Sequence, residues 1–188
     1  MKEWFQSLLS ADLAVENWVT VHRDLDLTQV FMWITQLGNV YAISALFVFS
    51  FLVLLSMRKR VEALCLAGSL LACFLSTYFL KYELERPRPE HAFYLETSFS
   101  FPSGHASMSV VLYGMLAYLL VKRFKKMRQK MLVIVPSVLL VLLIGASRIY
   151  LDVHYLSDVL GGLLLGSIFL SLGIFFDRRA CKMNVWKS

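Results

Sequence analysis

The sequence is poor in cysteine, with three in 188 residues. Cys65 and Cys73 fall within one long apolar run, and Cys181 lies in a basic segment near the C-terminus. Small secreted domains that depend on disulfides carry a denser, usually even set of cysteines. A disulfide framework is therefore excluded, and the three thiols are interpreted as packing residues.

Proline is also scarce, and three of the four prolines stand together within residues 82–102. Proline has no backbone N–H and interrupts a helix. This clustering predicts one polar, non-helical loop between two apolar runs, whereas Pro136 lies near the start of an apolar run.

No internal repeat, low-complexity tract or linker is visible, and no unbroken apolar core follows a basic start as in a secretory signal. A single domain over residues 1–188 is predicted. In residues 1–35, apolar residues that include Trp4, Leu9 and Leu13 recur at helical spacing between charged ones. This pattern favours an amphipathic helix on the membrane surface, and a helix packed over the rest of the protein is the alternative.

Asp26 precedes a second short apolar stripe and is expected to cap a helix that leads into the first apolar run.

Long apolar runs dominate the remainder: the chain is 58% hydrophobic and its mean hydropathy is +0.63. Such a chain is too apolar for an ordinary soluble fold, and runs of this length can cross a bilayer. The predicted fold is all-α: a polytopic membrane helix bundle with a core at residues 36–176 and an N-terminal amphipathic helix. About five transmembrane helices are expected, at residues 40–57, 63–80, 105–121, 131–146 and 159–176.

The net charge of +6 is unevenly distributed. Basic residues concentrate at residues 58–60, 122–130 and 177–188, the last of which is predicted to be a basic tail. A nucleic-acid surface would not alternate with apolar spans in this way, so that partner is excluded. Cytoplasmic loops of membrane proteins are rich in Lys and Arg, which predicts that these three segments face the cytoplasm.

Three polar clusters interrupt the apolar sequence between residues 81 and 158, and the predicted topology places all three on the outer face. Charged groups at the ends of membrane helices are costly unless they are paired or functional, so one shared site is expected. The clusters consist of Lys81 with Arg88-Pro89, then Pro102-Ser103-Gly104-His105, and last Ser147-Arg148 with His154 and Asp158.

In this order and spacing the clusters resemble the signature of the type 2 phosphatidic acid phosphatase (PAP2) family, over roughly residues 30–176. The resemblance implies a lipid phosphatase of the cytoplasmic membrane. The segment at residues 96–105 looks most like bacterial undecaprenyl pyrophosphate and phosphatidylglycerophosphate phosphatases.

The two motif histidines have chemically distinct expected roles. His154 and Asp158 stand four residues apart at a helix start, where a carboxylate can fix the imidazole tautomer. The resemblance assigns His154 as the nucleophile that forms a phosphohistidine, Asp158 as its orienting partner and His105 as the general acid and base. A His–Asp pair that merely closes a helix end is the alternative.

Phosphate would be bound by cations and by a helix start. Ser103 and Gly104 open the third span, where free backbone amides favour an anion. Lys81, Arg88 and Arg148 supply positive charge, and the motifs contain no carboxylate cluster of the kind that metal enzymes use, so no metal and no cofactor is expected. Arg86 is set aside as the motif arginine, because its distance from Lys81 is two residues short of the family spacing, and contact with the headgroup is the role left open for it. Glu96 and the other acids of the outer loop are expected to be solvated, and a part in headgroup selection is the alternative.

Several alternatives share parts of this pattern. A lipid A 1-phosphatase or a lipid-to-lipid phosphotransferase would use the same scaffold. A non-enzymatic anion transporter is disfavoured, because transporters commonly show repeated halves and broken helices. Soluble haloperoxidases, which share the family's site, are disfavoured by the apolar spans.

Overall fold

The computed structural model describes residues 3–182, with side chains from Leu9 onward, and this part of the chain contains helices but no strand. The all-α class is therefore confirmed. The helices are α1 (Glu3–His22), α2 (Leu25–Gln36), α3 (Val40–Ser56), α4 (Arg60–Leu84), α5 (Gly104–Val121), α6 (Met127–Tyr150) and α7 (Leu156–Lys182).

Five helical segments of the described chain are long and apolar enough to cross a membrane, as predicted. The first runs from Leu25 to Ser56 and so includes both α2 and α3, which makes it longer than the expected span from Val40. A short break separates these two helices, because the Asn39 side chain caps α3 by accepting a hydrogen bond from the Ala42 amide at 2.9 Å.

The cap of α2 differs from the prediction. Asp24, not Asp26, has the extended backbone of a cap and accepts a hydrogen bond from the Leu27 amide at 3.0 Å. Asp26 lies in the first turn of the helix, two residues too late to cap it.

Helix α5 lies against α3, α4, α6 and α7, so it occupies the centre of the bundle. Its contact with α7 depends on two glycines of α7. A Cβ at Gly162 would lie 2.5 Å from the Ser103 carbonyl oxygen, and a Cβ at Gly166 would lie 2.5 Å from that of Ser107. This glycine pair therefore packs within the bundle, against the first turns of α5.

The loop of residues 85–103 is non-helical, as its prolines predicted. Helix α4 ends where Glu85 adopts a left-handed conformation with φ 42°. The loop then folds over the end of the bundle: the Phe93 amide donates to the Leu151 carbonyl at 3.0 Å, and the Ser103 amide donates to the Asp158 carbonyl at 3.0 Å. The three motif clusters are thereby brought to one end of the molecule.

The opposite end carries the basic loops. Asp177, which was predicted to begin the tail, instead lies buried in the last turns of α7 and accepts hydrogen bonds from Tyr118 at 2.7 Å and Lys122 at 2.8 Å. Residues 177–182 continue α7, and residues 183–188 of the predicted tail lie outside the described residues. Cys181 is exposed, so the interpretation of this thiol as a packing residue is wrong, whereas Cys73 is buried.

Candidate active site

Each motif lies at a helix end on the same side of the bundle. Lys81 is in the last turn of α4, Ser103 precedes α5, Arg148 is in the last turn of α6, and the chain between α6 and α7 carries His154. A cavity of about 380 Å³ opens among them. Of the eight predicted site residues, five line it: Lys81, Arg88, Gly104, His105 and His154.

The other three, Ser103, Arg148 and Asp158, are fully buried. Asp158 contacts His154, and the Ser103 backbone bonds to Asp158. Arg148 shares Glu96 as an ion-pair partner with Arg88. The structure therefore brings all eight residues into one contiguous site.

His154 is oriented by its neighbours. Its Nδ1 lies 3.4 Å from the Asp158 carboxylate, and its Nε2 lies 3.4 Å from the Arg88 guanidinium. The carboxylate favours the tautomer with the proton on Nδ1, which leaves Nε2 as the free base. Burial lowers the pKa of His154 to about 4, against the opposing effect of Asp158, so the imidazole is neutral at neutral pH.

Asp158 is held in place by more than the histidine. One of its oxygens accepts from the Ser100 hydroxyl and from the Tyr155 amide, the latter at 2.9 Å. The other oxygen accepts from Arg86 at 2.6 Å. A carboxylate fixed on both oxygens cannot rotate away from the imidazole that it orients.

Arg86 was set aside as a motif residue, and the structure places it in direct contact with the site residue Asp158. Its guanidinium bridges Asp158 to Asp12 of α1, which it reaches at 2.7 Å. Spacing within the motif gives no signal for this contact, because Arg86 acts on a residue 72 positions away.

The motif cations converge from three directions. Lys81 donates to the carbonyls of Phe99 and Ser100. Arg88 donates to the Val153 carbonyl at 2.6 Å, and Arg148 donates to Thr35 at 2.8 Å. Within the described part of the chain, the buried Nε of Arg148 and the buried hydroxyl of Ser103 have no hydrogen-bond partner. Buried donors of this kind are suited to an anionic ligand.

Glu96 forms ion pairs with two of the motif cations. Its carboxylate pairs with Arg148 at 2.5 Å and with Arg88 at 3.4 Å, so the expectation of a solvated side chain is wrong. Burial alone would raise the pKa of Glu96, but the two guanidinium groups hold it below its ordinary value. This acid neutralises the two arginines that would otherwise face each other.

In chemical terms, the arrangement offers a neutral imidazole with an unprotonated ring nitrogen, a second imidazole that lines the same cavity, and three cations. Among residues 3–182 no group of three or more His, Cys, Asp or Glu side chains is placed to hold a metal ion. A nucleophile surrounded by cations suits transfer of a negatively charged group.

Known proteins share this sequence and fold. Residues 62–179 match the sequence model of the PAP2 superfamily, and this range contains all eight predicted site residues. Phosphatidylglycerophosphatase B of Bacillus subtilis (strain 168) is 36% identical over 173 residues, which is 90% of this chain and 85% of that protein.

Two solved structures are similar. The crystal structure of a transmembrane PAP2 type phosphatidylglycerolphosphate phosphatase from Bacillus subtilis matches with a TM-score of 0.85 at 34% identity, over 92% of this chain and 87% of that one. The crystal structure of Aquifex aeolicus LpxE matches with a TM-score of 0.69 at 25% identity, over 86% and 93%.

Proposed function

The chain belongs to the PAP2 superfamily and is a phosphatase, and we propose that it removes phosphate from a membrane lipid through a phosphohistidine at His154, without a metal ion. The proposed substrate is of the phosphatidylglycerophosphate type, which the Bacillus subtilis relatives favour. Undecaprenyl pyrophosphate is the second candidate, because of the resemblance at residues 96–105.

One observation carries the most weight. The Nε2 atom of His154 lacks a proton in the tautomer that Asp158 favours, and it lies at the wall of the cavity beside Arg88. A structural His–Asp pair at a helix end would not require a guanidinium beside the other ring nitrogen.

The proposed reaction has two steps. In the first, Nε2 of His154 attacks phosphorus, the N–P bond forms and the P–O bond to the lipid breaks, while His105 gives a proton to the leaving oxygen. In the second, His105 takes a proton from water, the resulting oxygen nucleophile attacks phosphorus, and the N–P bond breaks to release phosphate. Lys81, Arg88 and Arg148 stabilise charge on the phosphoryl oxygens throughout.

The shape of the cavity supports a lipid substrate. Beyond the polar end, its walls come from α3, α4 and α5 and include Val40, Ile43, Phe74 and Met108. A headgroup can therefore bind at the histidines while an acyl chain lies along apolar side chains, as in many amphiphile sites.

The charge distribution supports an outer location for the site. The basic segments at residues 58–60 and 122–130 lie at the ends of the spans remote from the cavity. Because such segments remain in the cytoplasm, we place the cavity on the outer face of the cytoplasmic membrane.

The testing experiment measures phosphate release in detergent, with EDTA present, from phosphatidylglycerophosphate, undecaprenyl pyrophosphate, phosphatidic acid and lipid A. His154→Ala is the paired variant, and its helix content by circular dichroism is the folding control. We expect release from phosphatidylglycerophosphate that EDTA leaves intact and His154→Ala abolishes. Release that persists in the variant, or that EDTA removes, would overturn the mechanism.

A further inference from the structure

The contacts of Arg86 extend the site beyond the motif residues, and we propose that Arg86 and Asp12 are positioning residues for Asp158, which makes helix α1 part of the active-site framework. This inference rests on the proposed function, because it assumes that Asp158 orients the nucleophile.

Burial and contact geometry support the first step. Asp12 is only 2% exposed, although it lies on a helix with exposed apolar residues. Its carboxylate accepts from Arg86 at 2.7 Å, from the Ser157 hydroxyl at 2.6 Å and from the Ser157 amide at 2.9 Å. A buried carboxylate with three donors holds a fixed position.

Arg86 transmits that position to Asp158. One amino group of its guanidinium donates to Asp12, and the other donates to Asp158 at 2.6 Å and to the Ser157 hydroxyl at 2.6 Å. The plane of the guanidinium is further fixed by the Tyr155 ring, whose centroid lies 4.3 Å from it. Lysine would supply a charge, but it could not join two carboxylates with this fork geometry.

The N-terminal region also contacts the chain on the other side of His154, between α6 and α7. Asp152 is buried and has a left-handed backbone with φ 56°, and it pairs with Arg23 at 3.3 Å and accepts from Thr20 at 3.4 Å. Segments on both sides of His154 are therefore attached to the same N-terminal region.

Charge balance distinguishes this arrangement from a simple helix cap. Asp12 caps the start of α7 through the Ser157 amide, and that contact alone would be structural. Arg86 adds a cation between two acids, so each of its contacts affects how strongly Asp158 attracts the Nδ1 proton of His154. The match to the family model covers residues 62–179, and Asp12 lies before it. The contact between Asp12 and Arg86 therefore joins an N-terminal helix to the site that the family model covers.

The test compares Arg86→Met, Arg86→Lys and Asp12→Asn with the wild type. Arg60→Met and Asp26→Asn are matched controls, because both residues are exposed and lie outside the site. We expect kcat to fall about 10- to 100-fold in Arg86→Met and Asp12→Asn, as for other partners that orient a catalytic group, with KM changed less than about twofold. Arg86→Lys should recover only part of the loss.

A second readout does not depend on turnover. Nitrogen-15 NMR of labelled histidine reports the tautomer of each of the four imidazoles, and His154→Ala assigns the His154 signal. We expect the Nδ1–H form in the wild type and in both controls, and a mixture of tautomers in Arg86→Met and Asp12→Asn. If both variants keep the wild-type tautomer, the inference is overturned, whatever their activity.

The two proposals fail in different ways. Should the wild type release no phosphate from any lipid, the proposed function fails, while the tautomers still decide the positioning role. Should Arg86→Met not fold, Asp12→Asn and Arg86→Lys decide it. In a double variant that combines Arg86→Met with Asp12→Asn, we expect kcat to fall by the same factor as in Arg86→Met alone. The reason is that Arg86 and Asp12 act on Asp158 as one unit. If the two losses of kcat instead multiply in the double variant, Arg86 and Asp12 act independently and the inference is contradicted.

Discussion

At the scale of single residues, burial sets the protonation state of the proposed nucleophile. His154 is 3% exposed, and burial lowers its pKa to about 4 from 6.5. The imidazole must be unprotonated to attack phosphorus, so activity is lost as pH falls through this pKa.

We therefore predict that kcat/KM measured with a soluble short-chain substrate falls about tenfold per pH unit below about 4, on the acid limb of its pH–rate profile. The measurement is a pH–rate profile in detergent, with reversibility checked by returning samples to neutral pH. An acid limb near 6.5 would contradict a buried, neutral His154.

Also at this scale, two residues show the limits of motif spacing. Arg86 and Glu96 contact Asp158 and Arg148, yet neither occupies a motif position. Their roles depend on partners 72 and 52 positions away, and no local periodicity reports such a pairing.

At the scale of elements, the contact between α5 and α7 determines how the site is supported. Gly162 and Gly166 allow the backbone of α7 to approach the carbonyls of Ser103 and Ser107. Ser103 and Gly104 form the helix start that is expected to bind phosphate. The close approach of α7 therefore fixes the position of this helix start as well as the packing of the two helices.

We predict that Gly166→Ala lowers the free energy of unfolding by about 1–3 kcal/mol, since the new methyl group would meet backbone that cannot move easily. Gly68→Ala is the matched control, because a Cβ there meets nothing within 4 Å. The control should be neutral or stabilising by up to about 1 kcal/mol. Equal destabilisation of both variants, measured by unfolding in detergent, would rule out this role of the close contact.

At the scale of the whole molecule, the five candidate spans separate a polar cavity from the basic loops. Leu95 lies in the loop of residues 85–103 near the cavity and is 97% exposed. Lys125 lies in the basic loop of residues 122–130 and is also exposed. If the proposed orientation is correct, these two positions lie on opposite sides of the membrane.

We predict that Leu95→Cys, in a background without the native cysteines, reacts with a membrane-impermeant maleimide in intact bacterial cells. Lys125→Cys should react only after permeabilisation. The cysteine-free background is the control for labelling of other groups. The reverse pattern would place the cavity on the cytoplasmic side.

Much of the fold and the site could be predicted from the sequence. Apolar runs gave the number of spans, because crossing a membrane requires a length of helix that is visible in one local stretch. The motif residues could be placed at one site, since helix ends on one side of the bundle must meet. Helix caps and boundaries were less accurate: Asp24 rather than Asp26 caps α2, and α7 continues through Asp177.

The tertiary structure decided what supports the motif residues. Asp12 and Ser157 are 145 positions apart, and Arg86 meets Asp12 across 74 positions. Spacing along the chain predicts contacts within a helix, where geometry repeats every few residues. Contacts between distant elements depend on how the helices pack and where the outer loop folds. For this reason the sequence by itself predicted the groups that are proposed to react, and only the folded chain revealed which residues hold them.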